Sequence, residues 1–234
     1  MRRGKLIHHK YLPEEAICNL SKYGELLPFH SKQITQAAIA CHPDIFLCPI
    51  DDTLIVAPNT PDYFMKLLSE KRIPFETGKY AIGKLKQDSA HYNVVVTERF
   101  IIHNQKYTDP AILVRAGNRQ FIHVNQGYTR CSLLPLKEDS FLTSDEGIAK
   151  VLKAHHLNCC YVSPEKILLP SLPYGFIGGC MGVWKNQVFV IGNLKYLPEG
   201  EKVTHFLQEL GYEIVSLYDG KLFDGGSLFL VRSE

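Results

Sequence analysis

The sequence has no CxxC pair, a single tryptophan, three methionines and nearly balanced charge. Its seven cysteines, Cys18, Cys41, Cys48, Cys131, Cys159, Cys160 and Cys180, are odd in number and fall outside any Cys/His ligand spacing. That excludes a zinc module readable from sequence and argues against a disulfide framework. No metal ligands and no cofactor are therefore expected. Cys159 and Cys160 lie in a short apolar run that reads as strand, and most of the thiols should be buried and inert. With 26 basic against 24 acidic residues scattered along the chain, net +2, no clustered basic face is offered to nucleic acid. The basic opening Met1-Arg2-Arg3-Gly4-Lys5 runs into His8, His9 and Lys10 without the apolar core of a signal peptide. No later run approaches a membrane span. The expectation is a soluble, cytoplasmic protein with neither membrane nor nucleic-acid partner.

What the chain does have is repetition. Tyr196-Leu197-Pro198-Glu199, a helical run to Leu210 and Gly211-Tyr212-Glu213-Ile214-Val215 match Tyr11-Leu12-Pro13-Glu14, a helical run to Lys22 and Tyr23-Gly24-Glu25-Leu26-Leu27. The N-terminal segment thus reads as the back half of a unit whose front half is Phe223-Asp224-Gly225-Gly226-Ser227-Leu228-Phe229-Leu230.

Each unit reads strand, polar turn, strand, helix, strand. The clearest runs Ile45–Ile50, turn Asp51-Asp52, strand Thr53–Ala57, Thr60 as helix cap with Pro61 at the first helical position, and strand Phe75–Thr77. In the other three complete units the first strands are expected at His91–Val96, Arg130–Leu136 and Phe176–Trp184, and in the split unit at Ser227–Val231. The unit boundaries fall near 36–78, 79–125, 126–170, 171–219, and 220–234 joined to 1–30, all within one domain spanning 1–234. Closing the ring through the two ends removes the exposed sheet edges of an open array. An ordinary α/β or α+β domain is the competing reading, and it does not account for a unit that begins half-way.

A cyclic array of five ββαβ units resembles the pentein fold, an α/β propeller shared by arginine and agmatine deiminases, dimethylarginine dimethylaminohydrolases and amidinotransferases. More narrowly, Gln126-Gly127-Tyr128-Thr129-Arg130-Cys131-Ser132, Phe141-Leu142-Thr143-Ser144-Asp145-Glu146-Gly147, Tyr174-Gly175-Phe176-Ile177-Gly178-Gly179 and Asp224-Gly225-Gly226-Ser227 resemble an uncharacterised bacterial family of that fold. The resemblance implies a guanidino-modifying enzyme with a nucleophilic Cys in the last unit and a His-x-Asp pair in a middle one. This chain departs from both. Phe229 or Leu230 stands at the nucleophile position, and Thr129-Arg130-Cys131 replaces the His-x-Asp run. Neither Phe nor Leu attacks carbon and Thr does not shuttle a proton, so the family's triad is not carried over.

The repeat still directs attention to one place, since equivalent positions at the start of each first strand ring the axis. Counting back from each turn aligns Asp44-Ile45, His91-Tyr92, Arg130-Cys131, Gly178-Gly179 and Gly226-Ser227, flanked by His42, Asn93, Asn125, Tyr128 and Asp224. The two glycine positions are read as room for a ligand. If the site is catalytic, Cys131 is the nucleophile, His91 its base and Asp44 a carboxylate for a cationic amidine or amine. Arg130, Asp224, Ser227, Asn125 and Tyr128 are then the substrate-binding set. The partner expected is a small guanidino, amidino or amine compound, and the reaction a Cys-dependent hydrolysis or transfer. A non-catalytic small-molecule-binding or protein-interaction module on the same fold is the alternative.

Overall fold

The computed structural model describes residues 4–232, so the expectations resting on Met1, Arg2 and Arg3 lie outside the described residues. The chain opens with β1 (Gly4–His9), α1 (Glu14–Ser21) and β2 (Gly24–Phe29), the two strands parallel. Next come α2 (Pro43–Phe46), β3 (Leu47–Ile50), β4 (Thr53–Val56), α3 (Asp62–Glu70) and β5 (Phe75–Thr77). The following unit is β6 (Val95–Val96), β7 (Phe100–His103), α4 (Pro110–Ala116) and β8 (Gln120–His123). After it stand α5 (Thr129–Ser132), β9 (Leu133–Pro135), β10 (Ser140–Thr143), α6 (Glu146–Ala154) and β11 (Asn158–Tyr161). The last complete unit is β12 (Met181–Trp184), β13 (Gln187–Val190), α7 (Gly200–Glu209) and β14 (Glu213–Ser216), and the chain ends in β15 (Phe229–Val231).

The two ends meet. Strand β15 pairs antiparallel with β1, setting Leu230 opposite Leu6 and Phe229 opposite Ile7. Five separate three-stranded sheets result, each with an inner strand antiparallel to the middle one and an outer strand parallel to it. No ladder joins one sheet to the next among the described residues; the inner strands touch around the axis instead, β3 against β6, β6 against β9 and β12 against β15. This is the five-bladed α/β propeller with its split blade. Leu6 and Ile7 are fully buried at the seam, where each such side chain contributes about 1.5–3 kcal/mol. None of the described helices is long and apolar enough to cross a membrane.

The outer helices follow from local signals. Asp109 caps α4 by accepting from Ala111 N at 2.8 Å, with Pro110 at the first helical position. Asp145 caps α6 through Ile148 N at 2.9 Å, and Ile148, Ala149 and Leu152 face the core. Thr60 does not cap α3. Pro61 occupies the cap position, Asp62 is the first helical residue, and the buried Thr60 hydroxyl finds no partner.

The first strands are shorter than expected, chiefly at their starts. Ile45 lies in the one-turn helix α2, Arg130 to Ser132 in α5, and Gly178–Cys180 form a 3₁₀ turn. His91 to Val94 and Ser227-Leu228 are likewise outside β6 and β15. The reason is where their backbone hydrogen bonds go. Asp44 N donates to Gly226 O at 3.3 Å, Arg130 N to Asn93 O at 3.0 Å and Ser227 N to Gly179 O at 2.9 Å. At this end the chain bonds to the neighbouring unit instead of its own hairpin, so apolar runs that read as continuous strand bend around the axis.

Candidate functional site

The strand registers give the true equivalences. The first inner-strand pairs are Leu47 with Val56, Val95 with Ile102, Leu133 with Thr143, Met181 with Val190 and Phe229 with Ile7. Two residues before each inner member lie Ile45, Asn93, Cys131, Gly179 and Ser227. One residue earlier still lie Asp44, Tyr92, Arg130, Gly178 and Gly226. Counting back from the turns slips by one in the second unit, because β6 has only two residues ahead of its three-residue turn. Asn93 therefore takes the place assigned to His91's neighbour.

Asp44, Asn93, Cys131 and Ser227 form one hydrogen-bonded group. The Cys131 thiol donates to Asp44 Oδ2 at 3.0 Å, and the Ser227 hydroxyl donates to the same oxygen at 2.7 Å. Asn93 clamps Cys131 from both sides, accepting from its backbone N at 3.0 Å and donating Nδ2 to Sγ at 3.2 Å. Asn93 Nδ2 also donates to Asp44 O at 3.1 Å. Asp44, Asn93 and Ser227 are fully buried and Cys131 is 3% exposed. Ser227 has φ +73°, strained for a residue with a side chain, and its two bonds hold it there.

Beside this group stand His42 and Asp224. Asp224 accepts from Phe176 N at 2.8 Å and Gly226 N at 3.1 Å, and its Oδ1 lies 3.9 Å from His42 Nδ1. Neither ring nitrogen of His42 has a hydrogen-bond partner, nor does Asp44 Oδ1, although all three atoms are buried. Ligand atoms of His42, Cys131 and Asp224 lie within 4.8 Å of one another. The glycines expected to admit a ligand are filled by the protein: a Cβ on Gly179 would collide with the Asp224 carboxylate, and one on Gly226, at φ +67°, with His42. They permit these two side chains to enter the axis.

Burial sets the electrostatics. It raises the Asp44 carboxyl above its usual range, against the opposing pull of His42 and of the Cys131 and Ser227 bonds. Asp224 is pushed up to about 7 by burial, opposed by the Phe176 and Gly226 amides. Cys131 is raised well above a free thiol by burial and by Asp44 and Asp224, so the thiol is protonated. Burial lowers His42, which is neutral. Burial thus favours the neutral form of all four titratable groups in this one volume.

The sequence matches the description "Family of unknown function (DUF6873)" over residues 7–229. The chain belongs to that family. No curated protein matches the sequence of this DUF6873 member. Solved structures with the same fold include three enzymes. Agmatine deiminase of C. jejuni superposes with TM-score 0.59 at 9% identity over 92% of this chain and 88% of its own. SxtG, an amidinotransferase of Microseira wollei from the saxitoxin pathway, gives 0.58 at 12% over 100% and 95%. DDAH of Pseudomonas aeruginosa, complexed with citrulline, gives 0.57 at 10% over 92% of each chain.

Of the expected site residues, Cys131, Asp44, Asp224 and Ser227 converge, and the others do not. His91 turns Nδ1 to Tyr107 O at 2.7 Å and packs on Tyr80; no hydrogen bond links it to Cys131 or Asp44. His42, a flanking position in sequence, is the imidazole of the cluster. Arg130 is buried but makes no carboxylate pair among the described residues. It donates to Gly178 O at 2.9 Å and Met181 O at 3.4 Å and sits over the Phe229 ring, which occupies it structurally. Tyr128 bonds Ser89 Oγ at 2.7 Å. Asn125 is exposed, its carbonyl accepting from Asn104, since it continues an outer strand away from the axis. His42 and Asn93, read from the sequence only as flanking positions, are brought into the cluster by the His42-Pro43-Asp44 turn and by the strand register.

Proposed function

We propose that the axial cluster binds a compact guanidino, amidino or amine cation and that Cys131 reacts with its central carbon. The carrying observation is the thiol–carboxylate bond, Cys131 Sγ to Asp44 Oδ2 at 3.0 Å, beside an Asp44 oxygen with no partner. A buried oxygen left unpaired costs about 1–3 kcal/mol, which a cationic N–H would relieve. Asp224 supplies a second carboxylate for the same cation. Among the fold's other members, agmatine deiminase acts on agmatine and DDAH holds citrulline, small ligands of this size.

The proton inventory supports the step. As Sγ bonds to the amidinium carbon, the thiol proton passes to Asp44 Oδ2 and the C=N pair moves to nitrogen. Collapse expels an amine that takes the proton back from Asp44, leaving an S-amidino group on Cys131 for water or a second amine. A cation between Asp44 and Asp224 offsets the two charges that hold the thiol protonated.

An electrophilic amidine tests the reading on chelator-treated protein. Labelling should fall on Cys131 ahead of exposed Cys18, vanish in Cys131→Ser and slow at least about tenfold in Asp44→Asn. Labelling of Cys18 and Cys41 with Cys131 untouched overturns the reaction. Binding without turnover is a second reading, favoured by the near-complete burial of Cys131. It predicts that arginine, agmatine or dimethylarginine raises Tm while Cys131 stays unlabelled.

A further inference from the structure

His42 carries the least explained chemistry in the molecule. It is 1% exposed, both ring nitrogens lack partners, and the proposed proton path does not use it. Among buried histidines, His103 satisfies both nitrogens, on Thr108 Oγ1 at 2.8 Å and Gly127 O at 2.9 Å. An imidazole stripped of water and given no hydrogen bond is destabilising unless something else occupies its lone pair.

Two further donors face it. Cys131 Sγ and an Asp224 oxygen complete a set within 4.8 Å, each residue from a different unit of the ring. We propose that His42, Cys131 and Asp224 bind a zinc ion as its three protein ligands. Sulfur, nitrogen and carboxylate oxygen together select zinc over calcium or magnesium, which take oxygen alone. Tetrahedral zinc spaces such donors about 3.3–3.6 Å apart, so side-chain adjustments of about 1 Å suffice.

The surroundings already have the form of a metal site's outer layer. Backbone amides of Phe176 and Gly226 orient the Asp224 carboxylate, and Asn93 Nδ2 points at the Cys131 sulfur. Binding would release the thiol proton to solvent and turn Cys131 from its bond to Asp44. The site shares Cys131 and Asp224 with the proposed amidine site but does not rest on that reaction. One thiolate cannot hold zinc and attack carbon together, so zinc would mask Cys131 reversibly.

Metal-free, full-length protein titrated with zinc against a chromogenic chelator should bind one equivalent. Cobalt should give a thiolate charge-transfer band with tetrahedral visible bands. Cys131→Ala and His42→Ala should each weaken binding by about 100-fold or more, beyond the loss from an outer-layer change. Cobalt spectra without a thiolate band, or unchanged affinity in both variants, overturn the site. Should the variants fail to fold, wild-type protein decides: zinc must block alkylation of Cys131 while Cys18 stays reactive, and continued alkylation of Cys131 overturns it. Because amidine labelling is read in chelator, loss of one proposal leaves the other standing.

Discussion

The two ends of the propeller axis are built from the same five inner strands and have opposite economies. At one end His42, Asp44, Asn93, Cys131, Asp224 and Ser227 crowd together with three buried polar atoms unsatisfied. At the other, a cavity of about 170 Å³ is lined by Val94, Val95, Leu134, Val183, Leu228 and Leu230 from four blades. Arg130 divides them, its guanidinium bonded to Gly178 and Met181 carbonyls and its face against Phe229. The apolar end sets aliphatic side chains around that cavity. The polar end holds charge, strain and unmatched donors, which natural proteins tolerate where the arrangement is used.

Substitutions at the two ends should therefore act in opposite directions. The largest effect is expected from Phe229→Ala, which removes a 5% exposed ring from the apolar side. Chemical denaturation should show a loss of about 3–5 kcal/mol with the labelling of Cys131 retained. Next is the pH response. Asp224 holds its proton up to about 7 in the folded chain against 3.8 as the ordinary value. Its contribution is complete below about pH 4 and is lost as pH rises towards 7. The Asp224→Asn variant should flatten that fall, on the order of a few kcal/mol, in denaturation curves taken across the interval. His42 acts with the opposite sign: its lowered pKa withdraws stability as pH drops below 6.5.

Asp44→Asn tests whether the polar end is a liability. It keeps an oxygen for Cys131 and Ser227 while removing a buried charge, so stability at pH 8 should rise by about 1–2 kcal/mol as reactivity falls. A loss of stability there would mean the cluster is ordinary core. The smallest effect belongs to the rim, where Arg99 and Asp139 pair at 2.6 Å between neighbouring units with Arg99 largely exposed. Arg99→Ala should change stability by under about 1 kcal/mol, and less in high salt.

Much of the architecture was legible because periodicity survives in sequence: five strand-turn-strand-helix-strand units, with the split unit joined as Leu6 with Leu230 and Ile7 with Phe229. The site was legible only in part. Cys131, Asp44 and Ser227 were placed on the axis by equivalence and Asp224 as a flanking position, whereas His91 was preferred to His42 because turn lengths hide a one-residue slip in the second unit. The expectation of no metal ligands rested on spacing within the chain.

Local preferences and a repeating hydrophobic pattern suffice to specify the blades and their order, since each strand and helix is chosen by residues close in sequence. Which side chains meet on the axis is decided by ring closure. His42, Cys131 and Asp224 are separated by 89 and 93 positions, and backbone bonds between units, such as Asp44 N to Gly226 O, set their distances. Contacts of that range have no local signature, so only the closed wheel defines the chemistry at its centre.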